Sequence, residues 1–101
     1  MSILITLRIP GNGELVEKAS AAHSELVREI AAKAAENGVI AHRFWATETE
    51  ILVVDEWPDR ESFEAFFGAK SEQIKQVMDL AGVTAQPEVT FYRKLETGDD
   101  V

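Results

Sequence analysis

The chain of 101 residues contains no cysteine, which excludes disulfides, thiolate metal sites and a cysteine nucleophile. Basic residues are scarce: ten Lys and Arg stand against eighteen Asp and Glu, for a net charge of −8. Neutralising phosphates requires Lys and Arg, so neither nucleic acid nor an acidic membrane surface is an expected partner. Long hydrophobic runs are also missing. The opening MSILITLRIP has no basic leader, and Thr6 and Arg8 interrupt its apolar residues. Neither a signal peptide nor a spanning helix is expected there, and a cytoplasmic protein is the default. There is no pair of carboxylates at catalytic spacing, no nucleophile elbow and no phosphate-cradling glycine motif. PGNG, Pro10 to Gly13, is only a turn. His23 and His42 have no partners at metal-ligand spacing.

What is present is a single compact domain with 46% hydrophobic residues. A chain of this size buries roughly 60–70% of its unfolded surface, enough for one core. Ser2 to Ile9 alternates as a strand, with Ile3, Ile5, Leu7 and Ile9 on one side. From Glu14 to Asn37 the period becomes helical, with Leu15, Ala19, Leu26, Ile30 and Ala34 in one stripe and Val16 and Val27 at its edge. Asn37-Gly38 supplies the stop. Val39 to Thr47 and Ile51 to Trp57 read as two strands joined around Glu48, hence an antiparallel hairpin. Asp59 can cap a short helix that Gly68 interrupts, and Ser71 a second that ends at Gly82. The last strand runs from Glu88 to Leu95.

The order is β-α-β-β-α-β, with the second helix predicted in two pieces. Right-handed crossovers then place strands one and three at the centre of a four-stranded antiparallel sheet with helices on one face. This is a ferredoxin-like α+β fold spanning residues 1–95, followed by a short acidic tail, 96–101, expected to be frayed. Both sides of the strands carry apolar residues, and one chain has helices for only one face. A second copy, sheet against sheet in a two-fold homodimer, is the expected cover.

The segments GVIAHRFW and VVDEWPDRESFEAFF, within a pattern running from Ile3 to Leu95, resemble the antibiotic biosynthesis monooxygenase family of the dimeric α/β-barrel superfamily. The resemblance implies a homodimer that binds a small aromatic or polyketide-like molecule between helices and sheet. It also implies a possible cofactor-independent monooxygenase. A non-catalytic dimeric binding or interaction domain is the alternative. Haem-degrading members use a first-strand Asn, a Trp ending the third strand and a His on the following helix. Only the Trp carries over, as Trp57, so haem degradation is disfavoured and no cofactor or metal is expected.

Several side chains are candidates for a site. His23, in the middle of the long helix's apolar stripe, is the candidate base, set against the reading of a partly buried structural histidine. Trp57, by the resemblance, faces the same side. Small Ala19 and Ala22 leave room for His23 and Trp57 to share one cavity. Alternation turns Asp55 to that side as well. Trp57, the second catalytic candidate, could with Phe63 and Phe67 hold a substrate and exclude water, with Phe66 and Tyr92 nearby. Arg8 could pair with Asp55 or Glu56, or clamp an anion. Trp45 reads as core filling, and His42, beside Ile40 and Phe44, as a structural residue at the dimer interface.

Overall fold

The computed structural model describes residues 1–101. Its elements are β1 (Ile3–Pro10), α1 (Gly13–Ala22), α2 (Ser24–Glu36), β2 (Ala41–Ala46), β3 (Glu50–Trp57), α3 (Arg60–Leu80) and β4 (Glu88–Arg93). The strands form one antiparallel sheet in the order β2-β3-β1-β4, the ferredoxin-like arrangement with β1 and β3 central. No helix is long and apolar enough to cross a membrane.

Alternation decides the two faces. Ile5, Leu7 and Ile9 of β1 and Ile51, Val53, Asp55 and Trp57 of β3 are buried under the helices. Val16 and Ala19 of α1, Ala34 of α2, and Phe63 and Phe66 of α3 complete this core, with Ala81 and Val83 beyond α3. Two short Gly-Val sequences end the helical layers in the same way. Gly38, at φ 91°, donates to Ala35 O, while Val39 N–H reaches Ala34 O. Gly82, at φ 77°, donates to Asp79 O, and Val83 N–H reaches Met78 O. Both are Schellman motifs, whose left-handed residue glycine alone adopts without strain.

The helices break where the sequence pattern does not place the break. The first helical segment is divided at His23 (φ −122°, ψ 43°), although neither proline nor glycine lies there. The bend changes the phase of α1, so Val16 is buried and Leu15 exposed, the reverse of what an unbroken stripe requires. Gly68, by contrast, does not interrupt α3, which runs unbroken for 21 residues. One mid-helix glycine costs only about 1 kcal/mol relative to alanine, and both flanking turns are anchored by buried residues, Phe63 and Phe66 before it and Val77 after. A Cβ at Gly68 would meet nothing within 4 Å. Gly68→Ala is therefore expected to stabilise the fold by about 0.5–1 kcal/mol, read as a higher urea midpoint at unchanged slope.

Asp59 caps α3, its Oδ1 accepting from Ser62 N–H at 2.7 Å. That backbone hydrogen bond, with a further one to the Ser62 side chain, holds the Asp59 carboxyl below its ordinary value. A depressed folded-state value means the cap contributes stability above the unfolded-state value and loses it as pH falls through the folded one. Acid titrations of wild type and Asp59→Ala should accordingly differ at neutral pH and converge at the acid end.

The opposite face of the sheet is uncovered. Leu4, Trp45 and Tyr92 are exposed there, Trp45 by 59%, beside half-buried Leu52 and Val54. Arg8 and Glu50 sit at the edge of this patch.

Candidate functional site

The helical layer stands off the sheet and leaves a cavity of about 490 Å³. All four strands line it: Leu7 and Ile9 from β1, His42 and Phe44 from β2, Val53 and Asp55 from β3, and Val89 from β4. Val27, Ile30, Ala31 and Ala34 of α2 and Phe63, Phe66 and Phe67 of α3 form much of the roof. The size falls in the range of small-molecule pockets, and the lining is mostly hydrophobic.

One polar group in this region is buried as deeply as the aliphatic core. Asp55 is 3% exposed and is the only buried residue of the chain that carries a charge or polar side chain. β3 turns it toward the helices because Val53 and Trp57, two residues to either side, must also face inward. Burying a carboxylate is unfavourable unless both oxygens are bonded. Here both are. Oδ1 lies 2.6 Å from His42 Nδ1, and Oδ2 accepts from Trp57 Nε1–H at 3.1 Å. No buried side-chain polar atom in the chain lacks a partner.

The antiparallel register makes the histidine contact. His42 lies directly opposite Asp55, so both side chains leave the sheet on the same face. An ionised carboxylate can only accept, so the proton on this bond belongs to His42 Nδ1. The nitrogen left for a ligand is Nε2, which carries the lone pair whenever the ring is neutral. The His42 ring packs edge-on against Phe44 at 5.3 Å between centroids. His42 thus combines an anchored ring with access, since its side chain remains 44% exposed.

Trp57 stands behind this pair. It is fully buried, lies tilted on Phe66 at 5.3 Å and meets Phe63 edge-on at 5.9 Å. Its indole holds Asp55 without itself lining the cavity. Phe63 continues the aromatic cluster to Phe67 and Phe91, and the Arg60 guanidinium sits 4.1 Å over the Phe91 ring. Lys75 and Asp79, at the outer edge of the cavity, pair with each other at 2.9 Å and stay exposed.

Asp55, Phe63 and Phe67 line the cavity, whereas Trp57, expected to hold a substrate there, faces the helices but is buried behind it. Three further expectations are corrected, on His23, Arg8 and His42. His23 sits exposed at the junction of α1 and α2 and does not line the cavity. It shares no cavity with Trp57, because the bend turns it out of the stripe. Arg8 leaves β1 on the open face, alternating with Leu7 and Ile9, and pairs with Glu50 rather than Asp55 or Glu56. Hydrogen bonding from Arg8 holds the Glu50 carboxyl below its ordinary value. His42, expected at the dimer interface, lies on the helical face instead. Its pairing with Asp55 was recoverable from the hairpin: strands joined near Glu48 bring positions 42 and 55 close to opposition.

No family model matches the chain, and no curated protein matches it in sequence. Solved structures do match along nearly the whole chain. SnoaB, a cofactor-independent oxygenase from Streptomyces nogalater, is 13% identical with a TM-score of 0.61, over 98% of this chain and 97% of that one. The ActVA-Orf6 monooxygenase of Streptomyces coelicolor, solved with nanaomycin D, is 18% identical with a TM-score of 0.63, over 95% and 89%. A dimeric ferredoxin-like protein from an uncultured marine organism is 14% identical with a TM-score of 0.66, over 94% and 89%. At these identities the likeness is one of fold. The chain has the fold of the antibiotic biosynthesis monooxygenases.

Proposed function

We propose that this protein is a homodimeric, cofactor-independent oxygenase of small aromatic molecules, with His42 as its general base. The observation that carries the reading is the His42–Asp55 pair on a cavity otherwise lined mainly by apolar side chains. A base fixed by a buried carboxylate, beside a site able to exclude water, suits removal of a proton from an activated carbon acid. The substrate would be a ring methylene flanked by aryl and carbonyl groups. His42 Nε2 takes one proton, and the carbanion passes an electron to dioxygen. The two radicals join as a peroxide, which loses water to leave a ketone. Overall, CH₂ and O₂ become C=O and H₂O. Asp55 is a positioning residue in this scheme, and Phe63 and Phe67 pack against the ring.

Anthrone provides a direct assay. Wild-type protein should consume one dioxygen per anthraquinone formed, above the uncatalysed rate. His42→Gln should lower that rate by about a thousandfold to ten-thousandfold, the upper part of the range for a positioned base. Failure to accelerate dioxygen uptake with anthrone or its hydroxylated analogues would count against the proposal.

The dimer is proposed from the uncovered face, where Trp45, Tyr92, Leu4, Leu52 and Val54 form one apolar patch. A second copy of the same sheet would cover it, and the fold is one that the marine relative carries as a dimer. Light scattering at micromolar concentration should report twice the 11.2 kDa chain mass. Trp45→Glu should return it to the monomer.

A further inference from the structure

We infer that the cavity discriminates by charge: it takes neutral planar molecules that present an O–H to His42 Nε2, and it rejects their carboxylate counterparts. This rests on reading the cavity as a ligand site and adds which ligands enter it.

Three observations carry the inference. First, the only deeply buried charge on the cavity is negative. Asp55 is 3% exposed, and its two oxygens are already occupied by His42 and Trp57. Second, no buried cation offsets it. Lys75 lines the cavity at its exposed margin and is tied to Asp79, while Arg8 and its guanidinium lie on the other face of the sheet. Third, with the His42 ring neutral, the atom it leaves for a ligand is an acceptor. With the Nδ1 proton committed to Asp55, Nε2 offers a lone pair, which a phenol or enol hydroxyl satisfies and a carboxylate cannot. A carboxylate placed there would face a lone pair and, one imidazole ring further on, a like charge in a poorly screened setting. At an effective dielectric near 20 that repulsion alone weakens binding by about tenfold or more.

Trp57 makes the discrimination adjustable by one substitution. In Asp55→Asn the side chain has one oxygen and one NH₂. The indole N–H of Trp57 can only donate, so it claims the oxygen, and the NH₂ turns to His42 Nδ1. Nδ1 must then accept, which moves the ring proton to Nε2. The buried charge disappears and the cavity presents a donor.

The test compares 2-naphthol with 2-naphthoate by calorimetric titration of the whole protein at about pH 8, below the range in which a phenol ionises. Wild type should bind 2-naphthol at least about tenfold more tightly than 2-naphthoate, and Asp55→Asn should narrow or reverse that ratio. Equal or tighter binding of 2-naphthoate to wild type would overturn the inference while leaving a ligand site in place. Binding of neither probe would overturn both it and the reading of the cavity. Should Asp55→Asn fail to fold, the wild-type ratio decides the matter alone.

Discussion

Asp55→Asn should cost about a thousandfold to ten-thousandfold in turnover number, with substrate affinity changed far less. The loss follows from the proton's position rather than from lost contact with substrate. In wild type the carboxylate keeps the proton on His42 Nδ1, so Nε2 can accept one from the substrate. The amide shifts it to Nε2 and removes the base. It also removes the charge that would stabilise the imidazolium formed during reaction. The magnitude is that seen when the equivalent carboxylate of a serine-protease triad is amidated, where geometry survives and the tautomer does not. Initial rates of dioxygen uptake with anthrone measure it. A drop smaller than about tenfold would mean that His42 does not act through Asp55.

Trp57→Ala should destabilise the fold by about 3–5 kcal/mol. Trp57 is one of the three largest fully buried side chains and packs between Phe63 and Phe66 at the end of β3. Its removal opens a cavity beneath α3 and leaves Asp55 Oδ2 without its donor. Against a total of roughly 5–15 kcal/mol for a domain of this kind, that is a large fraction. Trp57→Phe separates the two parts. It restores most of the packing but not the N–H, so a deficit of about 1–3 kcal/mol from the unsatisfied carboxylate should remain. Urea denaturation of the three proteins checks both values. A Trp57→Ala variant within 1 kcal/mol of wild type would show that neither the packing nor the bond to Asp55 carries the expected energy.

The sheet was readable because strand alternation and turn chemistry agree. Ile3, Ile5, Leu7 and Ile9 define one side of β1, and the hairpin around Glu48 fixes its neighbour pairing. Gly38 and Gly82 mark the two Schellman stops. Helix breaks were not readable, because they depend on what the helix packs against. His23 carries no local breaking signal, yet the chain bends there, while Gly68 carries one and the helix continues. The site was half legible. The inward turn of Asp55 follows from alternation, and that of Trp57 from the family resemblance. His23 attracted the role of base because it falls within a stripe that exists only if the helix is straight. The face that His42 takes is not legible from pattern, since both sides of β2 are apolar. Only its register with Asp55 distinguishes the two. Arg8 shows the same limit in reverse: its charge suggested a ligand contact, but the pleat directs it away from the cavity to Glu50.

The measurement bearing most directly on this site is the tautomer of His42 in the unliganded wild-type protein. Long-range proton–nitrogen correlation spectra resolve Nδ1 and Nε2 of each histidine, and His42→Gln assigns the signal among the two histidines of the chain. Once the ring is neutral, His42 should appear as a single tautomer with its proton on Nδ1 and a bare Nε2. A neutral ring protonated at Nε2 alone, or a mixture of tautomers like that of free imidazole, would show that Asp55 does not hold the base and would contradict the proposed site.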